Sequence, residues 1–357
     1  INMTIGEPKH KFPDWVGPAL VEAMEGFNSY PDNNGTSELR GAITGFLRRR
    51  YAINLDMDNQ VMVLNGTREG LFNAVVALGQ TGSKILIPNP FYQVYTVAAM
   101  AIGAQSVYLP AWAESGFLPD LDALTPEELN QTSIFFLCSP SNPQGVVASE
   151  AYWTRLLTLA ETYDFKIFAD ECYSEIYRTA PPPGALQVAA QMGADPERVV
   201  AFHSLSKRSN LPGLRSGFVA SGSKNILRIK QLRAYAGCPV AGPIQHISAK
   251  VWADDDHVVA NRQLYCGKFE AADRIFAGIK SYNSPEAGFF LWLPVEDDEA
   301  AALKLWTETG LRVLPGSYLG QIANEQNPGS GYVRVALVAP KEEMQRGLNI
   351  LRDCLYK

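Results

Sequence analysis

Seven short apolar runs, rich in β-branched and aromatic residues, recur through the first two-thirds of the chain: Val61 to Leu64, Lys84 to Ile87, Ser106 to Leu109, Ser133 to Leu137, Phe165 to Phe168, Val199 to Phe202 and Gly217 to Ala220. Most alternate with stretches of helical periodicity. Runs this apolar suit strands buried on both faces, and strand–helix alternation predicts a parallel α/β sheet covered by helices. In such a sheet, ligands bind at the carboxyl ends of the strands. After a helix-start signal at Asp254-Asp255-Asp256, isolated strand patterns (Phe289 to Leu293, Arg312 to Leu314, Tyr332 to Val338) lie among helices, ending in an amphipathic Lys341 to Tyr356 segment. A second, α+β domain is expected there. The segment Asp14 to Phe27, with Leu20, Met24 and Phe27 on one helical face, is expected to pack with it.

At 357 residues, with 46% hydrophobic and 19% charged residues and a formal charge of −6, the composition is that of an ordinary soluble protein. No basic stripe points to nucleic acid. No run of about 18 apolar residues and no charged-then-apolar amino terminus marks a transmembrane helix or signal peptide. A cytoplasmic protein is expected. Cys138, Cys172, Cys238, Cys266 and Cys354 are odd in number and widely spaced, and His10, His203, His246 and His257 show no ligand spacing. Neither a disulfide framework nor a metal site is expected.

The polar residues past these runs carry the chemistry. Lys207 lies in Ser204-Leu205-Ser206-Lys207, past the sixth run and ahead of Arg215-Ser216-Gly217. A lysine near cations or apolar neighbours has its amine pKa lowered, which favours imine formation. Asp170 ends the fifth run, where a partly buried carboxylate needs a cation or serves as a helix cap. Tyr173 follows it. Ser141-Asn142-Pro143-Gln144-Gly145, past the fourth run, reads as a turn or as a donor loop, and a cis Asn142-Pro143 bond is one way to aim Asn142. Asn65-Gly66-Thr67-Arg68-Glu69-Gly70 joins a strand to a helix whose free N–H groups suit an anion. Tyr92 is a candidate to stack on an aromatic ligand. Arg334, among apolar residues of a predicted strand, needs an anion, either a substrate carboxylate or a structural partner. Together these residues answer the needs of pyridoxal 5′-phosphate: a lysine for its aldehyde, a carboxylate for its pyridine nitrogen, donors for its ring oxygen, and hydroxyls with arginine for its phosphate.

In this order the residues resemble the class I/II aminotransferases of the fold-type I pyridoxal-phosphate superfamily, over nearly the whole chain. The resemblance implies a mostly parallel seven-stranded sheet in a large domain, residues 31–264, and a smaller α+β domain built from residues 1–30 and 265–357. It implies an imine at Lys207, Asp170 at the pyridine nitrogen, Asn142 and Tyr173 at the ring oxygen, and Tyr92 on the ring. The phosphate falls to Gly66, Thr67, Arg68, Ser204 and Arg215, with Ser206 beside them, and the substrate carboxylate to Arg334 and Asn142. Family members are homodimers with shared active sites. Tyr30, in Tyr30-Pro31-Asp32-Asn33-Asn34-Gly35, matches a tyrosine that reaches the neighbouring subunit's phosphate. Gly6, in Ile5-Gly6-Glu7-Pro8, matches a segment lining the substrate pocket, and an arm ahead of Ile1 is expected.

Gly6 to His10, Asn65 to Glu69, Pro90 to Tyr95 and Ser206 to Asn210 most resemble the proteobacterial succinyldiaminopimelate aminotransferases. The implied reaction is transamination of N-succinyl-LL-2,6-diaminopimelate with 2-oxoglutarate, in lysine biosynthesis. Aspartate-type transamination, carbon–sulfur lysis on the same cofactor, and a ligand-sensing domain are the competing readings. Lys9, Lys11 and Arg208 are either contacts for a second carboxylate or solvated surface charge.

Overall fold

The computed structural model describes residues 1–323 and 325–356. All seven apolar runs are strands: β1 (Val61–Leu64), β2 (Lys84–Asn89), β3 (Gln105–Pro110), β4 (Thr132–Cys138), β5 (Lys166–Asp170), β6 (Val199–Ser204) and β7 (Gly217–Ser221). They form one sheet in the order β1-β7-β6-β5-β4-β2-β3. From β6 to β3 the pairs are parallel, whereas β7 runs antiparallel to both β6 and β1. The direction of β7 follows from its connection. Between β6 and β7 lie only the short helix Leu205–Arg208 and a 3₁₀ turn, Pro212–Leu214, and a parallel return normally needs a longer crossover.

Successive strand side chains point to opposite faces, so both faces of these runs are apolar. Met62, Leu64, Ile85, Ile87, Phe136, Phe168 and Phe202 pack beneath the helices Thr67–Leu78, Val94–Ala101 and Ser223–Ala236. On the other face Leu86, Phe135, Leu137, Ile167 and Ala201 pack beneath Glu150–Tyr163 and Ala185–Met192. Val61, Val63, Phe218 and Ala220 continue that face beneath Ser37–Tyr51 and Gly242–Ala253. Sheathed in this way, the sheet leaves only its strand ends for polar groups.

The second sheet is antiparallel, in the order β8-β10-β9, from β8 (Phe290–Pro294), β9 (Leu314–Pro315) and β10 (Tyr332–Ala336). Arg312, expected within its second strand, instead bridges Asn2. Met3 is fully buried in this cluster, and its carbonyl accepts from Ala336 N–H at 2.8 Å. The first residues of the chain are thereby sewn to β10, the strand that carries Arg334.

The expectation for Asp14 to Phe27 is corrected. The segment is an α-helix, Val16–Glu22, and a 3₁₀ turn, Met24–Asn28, and it packs on the helix Gly242–Ala253 instead of on the second sheet. Its buried face is Val16 and Ala19, while Met24 and Phe27 are exposed. Val16 and Ala19 share a helical face and find Trp252 and Val251 beneath them. Among the described residues no helix is long and apolar enough to cross a membrane.

Candidate active site

The polar groups gather where β1, β2, β4, β5 and β6 end. At the end of β6, Ser204 caps the helix Leu205–Arg208: its Oγ accepts from Ser206 N–H at 3.1 Å and donates to Ser206 Oγ at 2.9 Å. This turn throws Lys207 into a cavity, where Nζ donates to the Gly6 carbonyl oxygen and lies 5.4 Å from the centre of the Phe289 ring. Burial lowers the Lys207 pKa from 10.5 to about 8; Arg334 and Arg215 add to the effect, and Cys172 and Glu7 oppose it. The approach needs glycine at position 6. A Cβ there would meet Phe290 Cζ at 2.4 Å.

Asp170 closes β5 and is only 5% exposed. Tyr95 Oη donates to its Oδ2 at 2.9 Å and the Cys172 N–H donates to its Oδ1 at 3.3 Å. Burial raises the Asp170 pKa, and the hydrogen bonds from Cys172 and Tyr95 oppose that rise. Tyr95 itself is held by stacking on Phe136, with ring centroids 4.2 Å apart. This tyrosine was not singled out from the sequence, which drew attention to Tyr92 in the same stretch. Its one local signal is a position three residues past Tyr92 at a helix start, which reads as ordinary core.

Gly66, at φ 78°, precedes the helix Thr67–Leu78 and leaves the first N–H groups of that helix open. A Cβ on Gly66 would fall 2.1 Å from Arg215 Nη2. Arg215 has a left-handed backbone, φ 54°, a conformation costly for a side chain of its kind, and its guanidinium donates to the carbonyls of Pro212 at 3.0 Å and Asn65 at 3.2 Å. An arginine is thus pressed against the open end of a helix. Thr67 Oγ1 lies 3.2 Å from Cys172 Sγ. Next along, Arg68 Nε donates to Tyr92 Oη at 2.7 Å.

Arg334 rises from β10 and is 8% exposed. Its Nη1 donates to Asn142 Oδ1 at 2.9 Å and its Nη2 to the Thr4 carbonyl at 2.7 Å, while its Nε is buried without a partner. The guanidinium lies 4.4 Å from the centre of the Phe290 ring. Burial lowers its pKa to about 10, and among the described residues no carboxylate pairs with it. A buried guanidinium so placed is a site for an anion. The Asn142-Pro143 peptide is cis. Tyr173 packs on Phe289 and Phe290, and burial holds its phenol well above the ordinary value.

These groups line one cavity of about 1320 Å³. Of the site residues implied by the family resemblance, Gly66 and Tyr30 alone are not in its lining. Gly66 sits directly behind Arg215, whereas Tyr30 is fully exposed at the surface. Neither reading of Lys9, Lys11 and Arg208 holds for all three. Lys9 and Lys11 are exposed, but Arg208 is buried between Phe46 and Trp252, with Nη2 2.9 Å from Asp255 Oδ1, and none of the three lines the cavity.

Residues 1–351 match the family model of the aminotransferases of class I and II. The LL-diaminopimelate aminotransferase of Syntrophobacter fumaroxidans is 29% identical over 372 residues, covering 100% of this chain and 91% of that protein. Among solved structures, an aminotransferase from Neisseria meningitidis superposes with a TM-score of 0.94 at 39% identity, over 98% of this chain and 91% of the other. A probable N-succinyldiaminopimelate aminotransferase from Thermus thermophilus gives 0.91 at 25% identity, over 99% and 95%.

Proposed function

The chain belongs to the class I and II aminotransferases, and from that membership we propose that its cavity binds pyridoxal 5′-phosphate and transaminates a diaminopimelate-class amino acid, N-succinyl-LL-2,6-diaminopimelate foremost, with 2-oxoglutarate. The observation that carries the reading is the convergence of Lys207, Asp170 and a carboxylate-free Arg334 on one cavity.

The residues fit the cofactor. The Gly66 cradle, free of a Cβ, lets Arg215 and the open helix end face one anion. Thr67, Ser204 and Ser206 add hydroxyls there, and Asn142 and Tyr173 offer donors for the ring oxygen. Bound pyridoxal phosphate supplies a carbonyl that condenses with amines and a ring that takes up the electrons of a broken α-carbon–hydrogen bond. Asp170, kept in place by Tyr95, would stand as the counter-charge to a protonated ring nitrogen. Lys207, with a pKa of about 8, keeps an appreciable fraction of neutral amine near neutral pH. Its amine would hold the cofactor and, when free, would move the substrate's α-proton as a general base. Arg334 orients the substrate by its α-carboxylate. Tyr30 serves the phosphate of a second copy, in a homodimer.

For the donor, Phe117, Leu118, Pro119 and Leu319 give the cavity an apolar wall. Succinylation replaces a free ammonium beside such a wall with an amide and moves the charge to a carboxylate at the far end of the succinyl chain, which favours the succinylated diamino acid over LL-diaminopimelate, the substrate named for the Syntrophobacter relative. A panel of donors assayed with 2-oxoglutarate tests this. The succinylated diamino acid should give the highest kcat/KM for glutamate formation. If it is no better than aspartate, or falls below LL-diaminopimelate, the donor assignment fails. Ammonia and pyruvate released without an oxo-acid acceptor would indicate a lyase.

A further inference from the structure

Lys207 and the strap carbonyl that receives it, that of Gly6, are 201 residues apart in the chain, so the two segments need a common reference in space. One buried amide supplies it. Asn261, on the helix Asp256–Ile275 and 4% exposed, uses all four of its hydrogen-bonding positions. Its Oδ1 accepts from His10 Nδ1 at 3.1 Å, on the strap, and from Asn210 Nδ2 at 3.0 Å, on the turn that carries Lys207. Its Nδ2 donates to the carbonyls of Lys207 and Arg208, both at 3.4 Å. We propose that Asn261 is a positioning residue that fixes the Lys207 turn and the amino-terminal strap against one another, and so sets how tightly the cavity closes around the lysine. The inference rests on the transaminase reading for the role of Lys207 and deepens it.

The turn needs such a hold. Asn210 has a left-handed backbone, φ 54°, which persists only where the surroundings impose it. Its Nδ2 donates to the Lys11 carbonyl at 3.3 Å as well as to Asn261, so strap and turn also touch directly at this junction. One helical turn before Asn261, His257 takes the same turn from another side: its Nδ1 donates to Asp254 Oδ2 and its Nε2 accepts from Ser209 Oγ, both at 2.8 Å. Burial, aided by Arg208, lowers the His257 pKa and keeps Nε2 free to accept. Serine, histidine and aspartate at these distances have the order of a hydrolase triad, but Ser209 is fully buried, so here they brace the turn. One helical turn after Asn261, the ring of Tyr265 lies 4.7 Å from that of His10, and Lys268 then reaches the Leu337 carbonyl just past β10. Positions 257, 261, 265 and 268 share one face of the helix. That face therefore holds the lysine's turn, the strap and the second sheet in one register.

The test starts from the unloaded protein, so that its first readouts are independent of the cofactor. Acetylation of Lys207 by acetic anhydride across a range of pH, followed by the mass of its peptide, reports the pKa of the amine. Amide hydrogen exchange over residues 3–11 reports the hold on the strap. The groups that act on Lys207 are Cys172, Glu7, Arg334 and Arg215, and burial outweighs them. In Asn261→Ala, exchange across the strap should quicken about tenfold, the loss of one or two hydrogen bonds. Water should then reach Lys207 and raise its pKa by about one unit. Glu7 leaves with the strap and acts the other way, but burial is the larger influence. His10→Ala should quicken strap exchange in the same way, and adding it to Asn261→Ala should have little further effect, because both remove one junction. Asn261→Asp, which keeps the oxygen that His10 and Asn210 share, should restore slow exchange. In the loaded protein Asn261→Ala should lower kcat about tenfold or more, with KM changed less, as for a displaced reacting group. A lower melting temperature for Asn261→Ala with strap exchange and the Lys207 pKa as in wild type would overturn the proposal and leave Asn261 as packing alone. Should that variant not fold, His10→Ala carries the same two readouts, and wild-type values in it would overturn the proposal equally. A wild-type protein that transfers no amino group when loaded would instead remove the transaminase reading itself, which the readouts of the unloaded protein keep distinct.

Discussion

Among single residues, Lys207, Asp170 and Arg334 sit in surroundings that disagree with their charge. Lys207 is a cation in a desolvated place beside two arginines, and its pKa falls from 10.5 to about 8. The rate at which the unloaded protein captures pyridoxal phosphate should therefore climb with pH and level off above about 8, since only the neutral amine reacts. A capture rate still climbing past pH 10 would mean an unperturbed lysine. Replacing Lys207 with alanine should lower turnover by more than about a hundredfold, the scale of a lost general base, with circular dichroism unchanged. Tyr95 is the residue that sequence reasoning missed. Its hydrogen bond to Asp170 joins positions 75 apart, and no local pattern encodes it. Tyr95→Phe should cost about tenfold in kcat, since it removes one hydrogen bond to a charged group, and should change KM less. A pure KM effect would argue that Tyr95 only shapes the cavity. Lys207, Asp170 and Arg334 were legible because each is a charge at the end of, or inside, an apolar run, and such a charge needs a reason.

Among elements, the strands were the most legible part. A strand covered by helices on both faces is apolar along its whole length, and β1, β6 and β7 are buried at every residue. Strand direction was not legible, because composition does not encode polarity; the short connection after β6 reverses β7. The amino-terminal segment was misassigned because its larger apolar residues Met24 and Phe27, in the 3₁₀ turn, stay exposed while the smaller Val16 and Ala19 of the helix do the packing. The helix Asp256–Ile275 carries an electrostatic oddity of its own. Lys268, 2% exposed, donates to the Leu337 carbonyl just past β10 at 2.9 Å, and burial lowers its pKa from 10.5 to about 7. Between those two values the unfolded chain holds more protons at this lysine than the folded one does, so its contribution makes stability rise with pH. The difference in melting temperature between Lys268→Met and wild type should accordingly be largest near pH 7 and shrink towards pH 10. A difference independent of pH would show that the lysine is paired in solution.

In the molecule as a whole, the two sheets meet at the cavity, and the amino-terminal strap binds them there. Thr4 and Gly6 offer their carbonyls to Arg334 and Lys207, while Met3 is stitched to β10. Tyr30 is the outlying residue, exposed and away from the cavity of its own chain. The role proposed for it in a second subunit predicts complementation. Mixing Lys207→Ala with Tyr30→Ala subunits should restore activity, because each mixed dimer then holds one site with both residues intact. Activity no greater than the sum of the two parents would leave Tyr30 without a shared site. All of this depends on the cavity using Lys207 and pyridoxal phosphate to accept an amino group. The decisive experiment is the absorbance spectrum of the reconstituted protein, freed of excess cofactor, before and after L-glutamate is added without an acceptor. A visible band is expected that depends on Lys207 and that glutamate converts to the pyridoxamine form, with release of 2-oxoglutarate. A reconstituted protein with no such band, or a band untouched by glutamate and every other amino acid, would refute the transaminase assignment.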